Sequence, residues 1–313
     1  MAKASRQSVE LLPKNSAGLV AKILEENPVH RKVLESSVGQ LTGDEVKLLE
    51  GYISYCLEKG LTIEYLAESY LILVMDTFRE QMYFQQHKKY RYSTFAEVAN
   101  DVYFNETYMS HYMYALALTL FFWPNHLGMF RFLKQTLPRD KKGKYLEIGP
   151  GHGFFITTAM EMTAFDSFTG VDISDTSIEQ TKALVDHYLK GKQKKIPQLK
   201  CMDFLTADLP DSEFDAVVMG EVLEHVEQPE AFMKRVRDVA KKDAYIFITT
   251  CIDAPVKDHI YLFENTKQIA DLFDDCGLSI KSELFVPYEG KTLEESFTNR
   301  LPVNVAYVLQ KKT

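Results

Sequence analysis

The chain has 313 residues, 46% of them hydrophobic, enough to bury a large core as one big domain or two. A net charge of −8 and an isoelectric point near 5.6 carry no chain-wide basic signature, which disfavours nucleic acid as a partner. The longest apolar run, Met113 to Trp123, is far short of a membrane span, and Met1 to Arg6 opens no signal-peptide core. Cys56, Cys201, Cys251 and Cys276 lack any C-x-x-C or zinc-like spacing, so a cytoplasmic protein with reduced cysteines and no membrane partner is expected.

Residues 1–136 are predicted to be helical. Thr42 with Glu45 is a capping box ahead of a segment in which Val46, Leu48, Leu49, Ile53 and Leu57 recur at helical spacing, and Gly60 stops it. A longer helix runs from Ile63 to about His87, Thr94 with Glu97 starts another, and Asn105 opens an aromatic stretch that ends at Trp123-Pro124-Asn125-His126. Without strand-like alternation or repeats, 1–136 reads as an all-helical domain in front of a second domain over 137–313. Eleven of the 17 tyrosines precede Leu127, with Tyr103, Tyr108, Tyr112 and Tyr114 beside His111 and His126. A tyrosine has an apolar body and a polar tip, so such a cluster suits a pocket for an aromatic or amphipathic small molecule. Tyr108, Tyr112, Trp123 and His126 are its candidate lining; the plainer alternative is that these rings fill helix interfaces. The helical domain is also a possible homodimer surface.

Pro138 to Lys144 is a polar connection. Beyond it, Tyr145 to Ile148 reads as a short buried strand that enters a glycine turn and then a helix beginning near Phe154. Gly149, Gly151 and Gly153 are spaced G-x-G-x-G, and Phe154 fills the position where a dinucleotide fingerprint wants its third small residue. The spacing argues against NAD and towards a smaller adenosyl ligand. Phe168 to Asp172 is a second strand, ending 19 residues after Gly153, where an acid can accept from both ribose hydroxyls. Thr176 with Glu179 is expected to cap the next helix, leaving Asp172 for the ligand. A third strand ends at Cys201-Met202-Asp203-Phe204, and the apolar run Ala216 to Met219 fits a fourth, buried on both faces, that delivers Glu221 to the crevice. Pro229 suits a helix start, with that helix running to about Lys241; Ala244 to Thr250 is a fifth strand. Asn265 caps a helix closed by Gly277, and Leu278 to Phe285 with Val303 to Leu309 form a final strand pair. Basic clusters at Arg139 to Lys144, Lys190 to Lys195 and Lys234 to Lys242 read as solvated surface.

Glu147-x-Gly149-x-Gly151-x-Gly153, followed in order by Asp172, Asp203-Phe204 and Glu221, resembles the motif series of class I S-adenosylmethionine-dependent methyltransferases, small-molecule type, and the likeness covers about the last 165 residues. The resemblance implies an α/β fold: a seven-stranded Rossmann-like sheet with helices on both faces and an antiparallel last strand, preceded by the helical domain as a cap over the crevice. It assigns Glu147, Gly149, Pro150, Gly151, Gly153, Asp172, Ile173, Asp203, Phe204 and Glu221 to S-adenosylmethionine, with Asp203 on the adenine amino group, Phe204 on its ring, and S-adenosylhomocysteine as the product.

Methyl transfer from a sulfonium is an in-line displacement, so alignment, exclusion of water and removal of the acceptor's proton are what the protein must provide. His225, four residues beyond Glu221, is the first candidate base, as an unperturbed imidazole that exchanges a proton near neutrality. A packing role is its alternative. His259, oriented by Asp258, is the second. Glu221-x-x-Glu224-His225 also resembles the metal motif of small-RNA 3'-end methyltransferases and of some ubiquinone-pathway O-methyltransferases. On a helix these three would share a face, with His259 as a fourth ligand; the same triplet occurs in family members without metal, and no metal ligand is assigned here. The expected function is methyl transfer to an O or N atom of a small acceptor. RNA methylation and a non-catalytic cofactor-binding role are the alternatives.

Overall fold

The computed structural model describes residues 12–191 and 196–312; the amino-terminal stretch read for a leader and the end of the Lys190 to Lys195 cluster lie outside them. Among the described residues, seven α-helices come first: α1 (Lys14–Glu26), α2 (Arg31–Val38), α3 (Gly43–Glu58), α4 (Ile63–His87), α5 (Phe95–Ala99), α6 (Glu106–Phe122) and α7 (Pro124–Thr136). The capping boxes at Thr42 and Thr94 form as expected, and Asn105 caps α6 by accepting from the Tyr108 amide. Helix α6 is apolar on every side because it is the central rod of the cap: Met109, Met113, Leu118, Phe121 and Phe122 are all buried. None of the described helices is long and apolar enough to cross a membrane.

The remaining chain alternates β1 (Lys144–Ile148), α8 (Phe154–Met162), β2 (Ser167–Asp172), α9 (Asp175–Tyr188), β3 (Gln198–Cys201), β4 (Phe214–Gly220), α10 (Pro229–Val239), β5 (Ala240–Ile252), α11 (Thr266–Asp275), β6 (Leu278–Val286), a short α12 (Leu293–Thr298) absent from the sequence reading, and β7 (Val303–Lys311). They build one sheet in the order β3-β2-β1-β4-β5-β7-β6. β7 runs antiparallel to both neighbours, and the other pairings are parallel. The period-two rule splits the core between the two faces. Leu146, Val217, Met219 and Ile248 pack with Met233 and Phe273 of α10 and α11. Tyr145, Ala216, Val218 and Phe247 pack with Met129 and Leu133 of α7 and with Ile156 of α8.

Two boundaries differ from expectation. Helix α10 stops at Val239, and β5 already starts at Ala240, where a register shift between Phe214 and Ala216 absorbs the residues up to Tyr245. The cap is also continuous with the sheet layer: Phe154 and Leu184 belong to the same apolar cluster as Leu49, Tyr70 and Phe121.

An ion pair fastens α3 to α7. Arg131 donates to both carboxylate oxygens of Glu45, at 2.7 and 2.6 Å, and to the Gln40 carbonyl. Burial acts to raise the Glu45 pKa, but the Arg131 guanidinium and the Thr42 amide outweigh it and hold the group below its ordinary value. A depressed carboxyl contributes stability that is present above its unfolded pKa and lost as pH falls through the folded one. Glu45→Gln is expected to lower stability by about 2 kcal/mol, read as the urea midpoint. Lys47→Ala, which breaks an exposed pair with Asp44, should move it by less than about 0.5 kcal/mol.

Candidate active site

The carboxyl ends of β1, β2 and β4 open on a cavity of about 1200 Å³, roofed by the cap. On its floor, Gly149 and Gly151 have φ of +65° and +53°, a region closed to most side chains. A Cβ on Gly149 would lie 2.7 Å from Val222. The turn therefore presents bare backbone to the cavity. Within it, His152 accepts from the Phe154 amide through Nδ1, and burial pushes its pKa down to about 4.

Asp172, Ile173, Asp203 and Phe204 line the adjoining wall. The helix after Asp172 is capped by Ser174 rather than Thr176: the Ser174 hydroxyl accepts from the Ser177 amide. Asp172 is part of that turn, accepting from the Ser174 amide at 3.0 Å and the Ser177 hydroxyl at 2.6 Å. These bonds hold its carboxylate in one orientation at the cavity wall. Asp203 accepts from the Leu205 amide at the exposed rim, and Phe204 is buried against Phe232. Glu147 is 2% exposed and takes the Tyr145 hydroxyl at 2.5 Å; burial pushes it up to about 8.

At the end of β4 the chain kinks. Glu221 has φ +52°, and Leu223–His225 forms a single 3-10 turn instead of the α-helix the spacing suggested. The residues converge nonetheless. Glu224, His225 and His259 each offer a ligand atom within 4.8 Å of the others, and so do Glu221, Glu224 and Cys251. Each carboxylate has one oxygen satisfied: Asn304 donates to Glu221 Oε2 at 2.8 Å, and the Thr250 hydroxyl donates to Glu224 Oε2 at 2.7 Å. The other oxygens, Glu221 Oε1 and Glu224 Oε1, are buried without a protein partner. Burial raises both carboxyl pKa values, with the Glu224 charge adding to the effect at Glu221.

The two imidazoles differ. Burial acts to lower His225, but Asp258 beside it overrides this and raises it to about 9. His225 is thus not the unperturbed imidazole expected from its position; Nδ1 lies 3.2 Å from Asp258 Oδ2. Asp258 accordingly orients His225, not its chain neighbour. His259 is buried, donates Nδ1–H to the Ala254 carbonyl at 2.6 Å, and is pushed down to about 3 by burial and the nearby His225.

Of the four residues proposed for the acceptor, Tyr112, Trp123 and His126 line the cavity and Tyr108 does not. The Tyr108 hydroxyl donates to Asp76, its ring stacks on Tyr112, and Lys257 sits 4.0 Å from its centroid. Trp123 donates to the Tyr70 hydroxyl. His126 pairs through Nδ1 with Thr119, whose own proton goes to the Leu116 carbonyl, and burial pushes it down to about 3. Leu73, Val74, Met109, Met113, Leu116 and Leu120 complete an apolar wall.

Sequence reasoning did not reach Asn304, Asn125 or Tyr103. Asn125 donates to Asn304, which holds Glu221. Asn304 faces the crevice because antiparallel pairing sets it opposite Cys251, and no local pattern announces that register. Tyr103 stood out only through the density of tyrosines around it.

Residues 125–297, more than half of the chain, match the family model described as a methyltransferase domain. A ubiquinone biosynthesis O-methyltransferase of Nitrosospira multiformis is 25% identical over 127 residues, 41% of this chain and 50% of its own length. A mitochondrial ubiquinone biosynthesis O-methyltransferase of Dictyostelium discoideum is 26% identical over 185 residues, 51% and 57% of the two chains. The chain thus spans about half the length of the curated relatives it matches. Among solved structures, an S-adenosylmethionine-dependent methyltransferase of Leishmania major is 16% identical with a TM-score of 0.48, over 64% of this chain and 77% of that one.

Proposed function

The chain belongs to the class I S-adenosylmethionine-dependent methyltransferase family, and from that membership we propose that it moves the methyl group of S-adenosylmethionine onto an oxygen of a small aromatic or amphipathic acceptor bound beneath the helical cap. The observation that carries this reading is the cavity: it runs without interruption from the glycine turn and Asp172 to the apolar wall of α4 and α6. Its lining has one lysine, Lys32, and no arginine, a poor surface for a phosphate backbone. The names of the two curated relatives support an oxygen acceptor.

The residues fit the cofactor. The bare backbone at Gly149 and Gly151 would take the close approach of the methionine portion, and Asp172, already fixed by two hydrogen bonds, would receive the ribose hydroxyls. The crevice residues also fit a divalent cation, because two buried carboxylate oxygens lack partners and His259 has Nδ1 committed to a carbonyl. Glu224, His225 and His259 would hold it, with Glu221 beside Glu224. Such an ion, when bound, orients and polarises acceptor oxygens. For their part, the cap helices exclude water from the crevice, and the apolar wall aligns the acceptor for in-line displacement.

Incubation with methyl-labelled cofactor and a panel of catechols, monophenols, hydroxy acids and RNA, with and without chelator, tests the reading. Label is expected on a small oxygen acceptor and is expected to be lost on chelation. Label on RNA alone, or tight cofactor binding with no transfer to any acceptor, would overturn it.

A further inference from the structure

Asp258 is 1% exposed, and three donors from two parts of the molecule meet on it. Tyr103, in the segment between α5 and α6, donates its hydroxyl to Oδ2 at 3.0 Å. Tyr112, on α6, donates to the carboxylate with 3.3 Å to each oxygen. His225 approaches from the sheet side, with Nδ1 at 3.2 Å from Oδ2 and at 3.1 Å from the Asp258 carbonyl. The Tyr103 hydroxyl also lies 3.0 Å from His225 Nδ1, so phenol, imidazole and carboxylate form a closed triangle.

The same stretch of cap is stitched to the crevice on either side of this triangle. The Tyr90 hydroxyl accepts from the Ala254 amide, and the Phe95 amide donates to Glu227, two residues past His225. The Tyr90 ring lies against His259. The segment from Tyr90 to Tyr103 therefore acts as a strap over the mouth of the site, and its deepest fastening point is the carboxylate that holds His225.

We propose that Asp258 is a positioning residue that couples seating of the helical cap to the orientation of His225. The inference rests on the methyltransferase reading only in that His225 stands at the proposed acceptor site. Its chemistry is simple. A buried carboxylate takes as many donors as it can reach; with Tyr103 and Tyr112 in place it has one geometry, and His225 Nδ1 is held by it. With the strap lifted, the Tyr103 hydroxyl leaves both the carboxylate and His225 Nδ1, Tyr112 of α6 remains as the one cap donor, and the imidazole is freer to turn. Acceptor entry and site assembly then become alternating states of one element, because the strap that covers the cavity also completes it.

The direct readout is the His225 side chain, observed by proton–nitrogen NMR in the full chain. In the unaltered protein the Nδ1 proton is expected as a downfield, slowly exchanging signal. Asp258→Asn should abolish that signal, and Tyr103→Phe with Tyr112→Phe, which remove two hydroxyls and no charge, should speed its exchange about tenfold or more. With an acceptor in hand, the paired tyrosine variant should lower kcat about tenfold and leave KM for S-adenosylmethionine within about twofold. An unchanged Nδ1 signal in the tyrosine variant overturns the proposal, as does a fall in melting temperature alone with signal and kcat intact. Should Asp258→Asn fail to fold, the tyrosine variant decides by itself. Because the imidazole signal needs no acceptor, absence of methyl transfer would sink the functional reading without touching this one.

Discussion

Asp172→Ala is expected to weaken binding of S-adenosylmethionine about 100-fold or more, measured by calorimetric titration. The carboxylate lies at the end of β2, is held by the Ser174 amide and the Ser177 hydroxyl, and lines the cavity. Two charge-assisted hydrogen bonds to ribose hydroxyls are worth about 1.5–3 kcal/mol each, and each 1.4 kcal/mol is about tenfold in affinity. The variant also strips a partner from the first turn of α9, so a control is needed. Ser177→Ala removes the hydroxyl that orients the carboxylate but leaves the charge, and it should cost less than about tenfold. Affinity unchanged in Asp172→Ala would place the cofactor somewhere other than this crevice.

Glu224→Gln should separate activity from stability. Methyl transfer is expected to fall about 100-fold or more, with cofactor affinity nearly unchanged. The melting temperature, taken in chelator, should rise by roughly 2 °C. The physical reason is the same for both effects. Glu224 is fully buried, one of its oxygens has no partner, and Glu221 with a second orphan oxygen stands beside it. Two carboxylates so placed repel one another and have lost their water, and His225, the positive group beside them, is already engaged by Asp258, so the arrangement costs stability unless further positive charge arrives. A glutamine keeps an oxygen for the Thr250 hydroxyl and removes the charge. Full activity in this variant would remove the cluster from the machinery, and a lower melting temperature would mean the carboxylates are already compensated within the protein.

The segments that proved readable are those whose structure is local. Strand β1, the glycine turn and helix α8 follow from the short Tyr145 to Ile148 stretch, G-x-G-x-G spacing and an apolar helix start; the capping boxes at Thr42 and Thr94 depend on residues three apart. Where two local solutions competed, the wrong one was expected: Ser174, not Thr176, caps α9, because the Ser174 amide and the Ser177 hydroxyl both find Asp172. The fourth strand ends as anticipated, but the turn that follows is 3-10 and not α-helical. The nearness of Glu224, His225 and His259 therefore comes from the loop after β5, whose Ile260 and Tyr261 amides donate to the Glu224 carbonyl.

The amino-acid sequence by itself determined the individual strands, the glycine turn, the position of Asp172 and the placing of Glu221, Glu224 and His225 just beyond β4, since each rests on periodicity or spacing within about 20 residues. Tertiary structure alone decided the chemistry of those groups. The register of β7 on β5 puts Asn304 on Glu221, the descent of the cap puts Tyr103 and Tyr112 on Asp258, and the resulting burial raises His225 while it lowers His259. Desolvation and Coulomb interaction depend on what lies within a few ångströms, and for these side chains the nearest neighbours are residues far away along the chain.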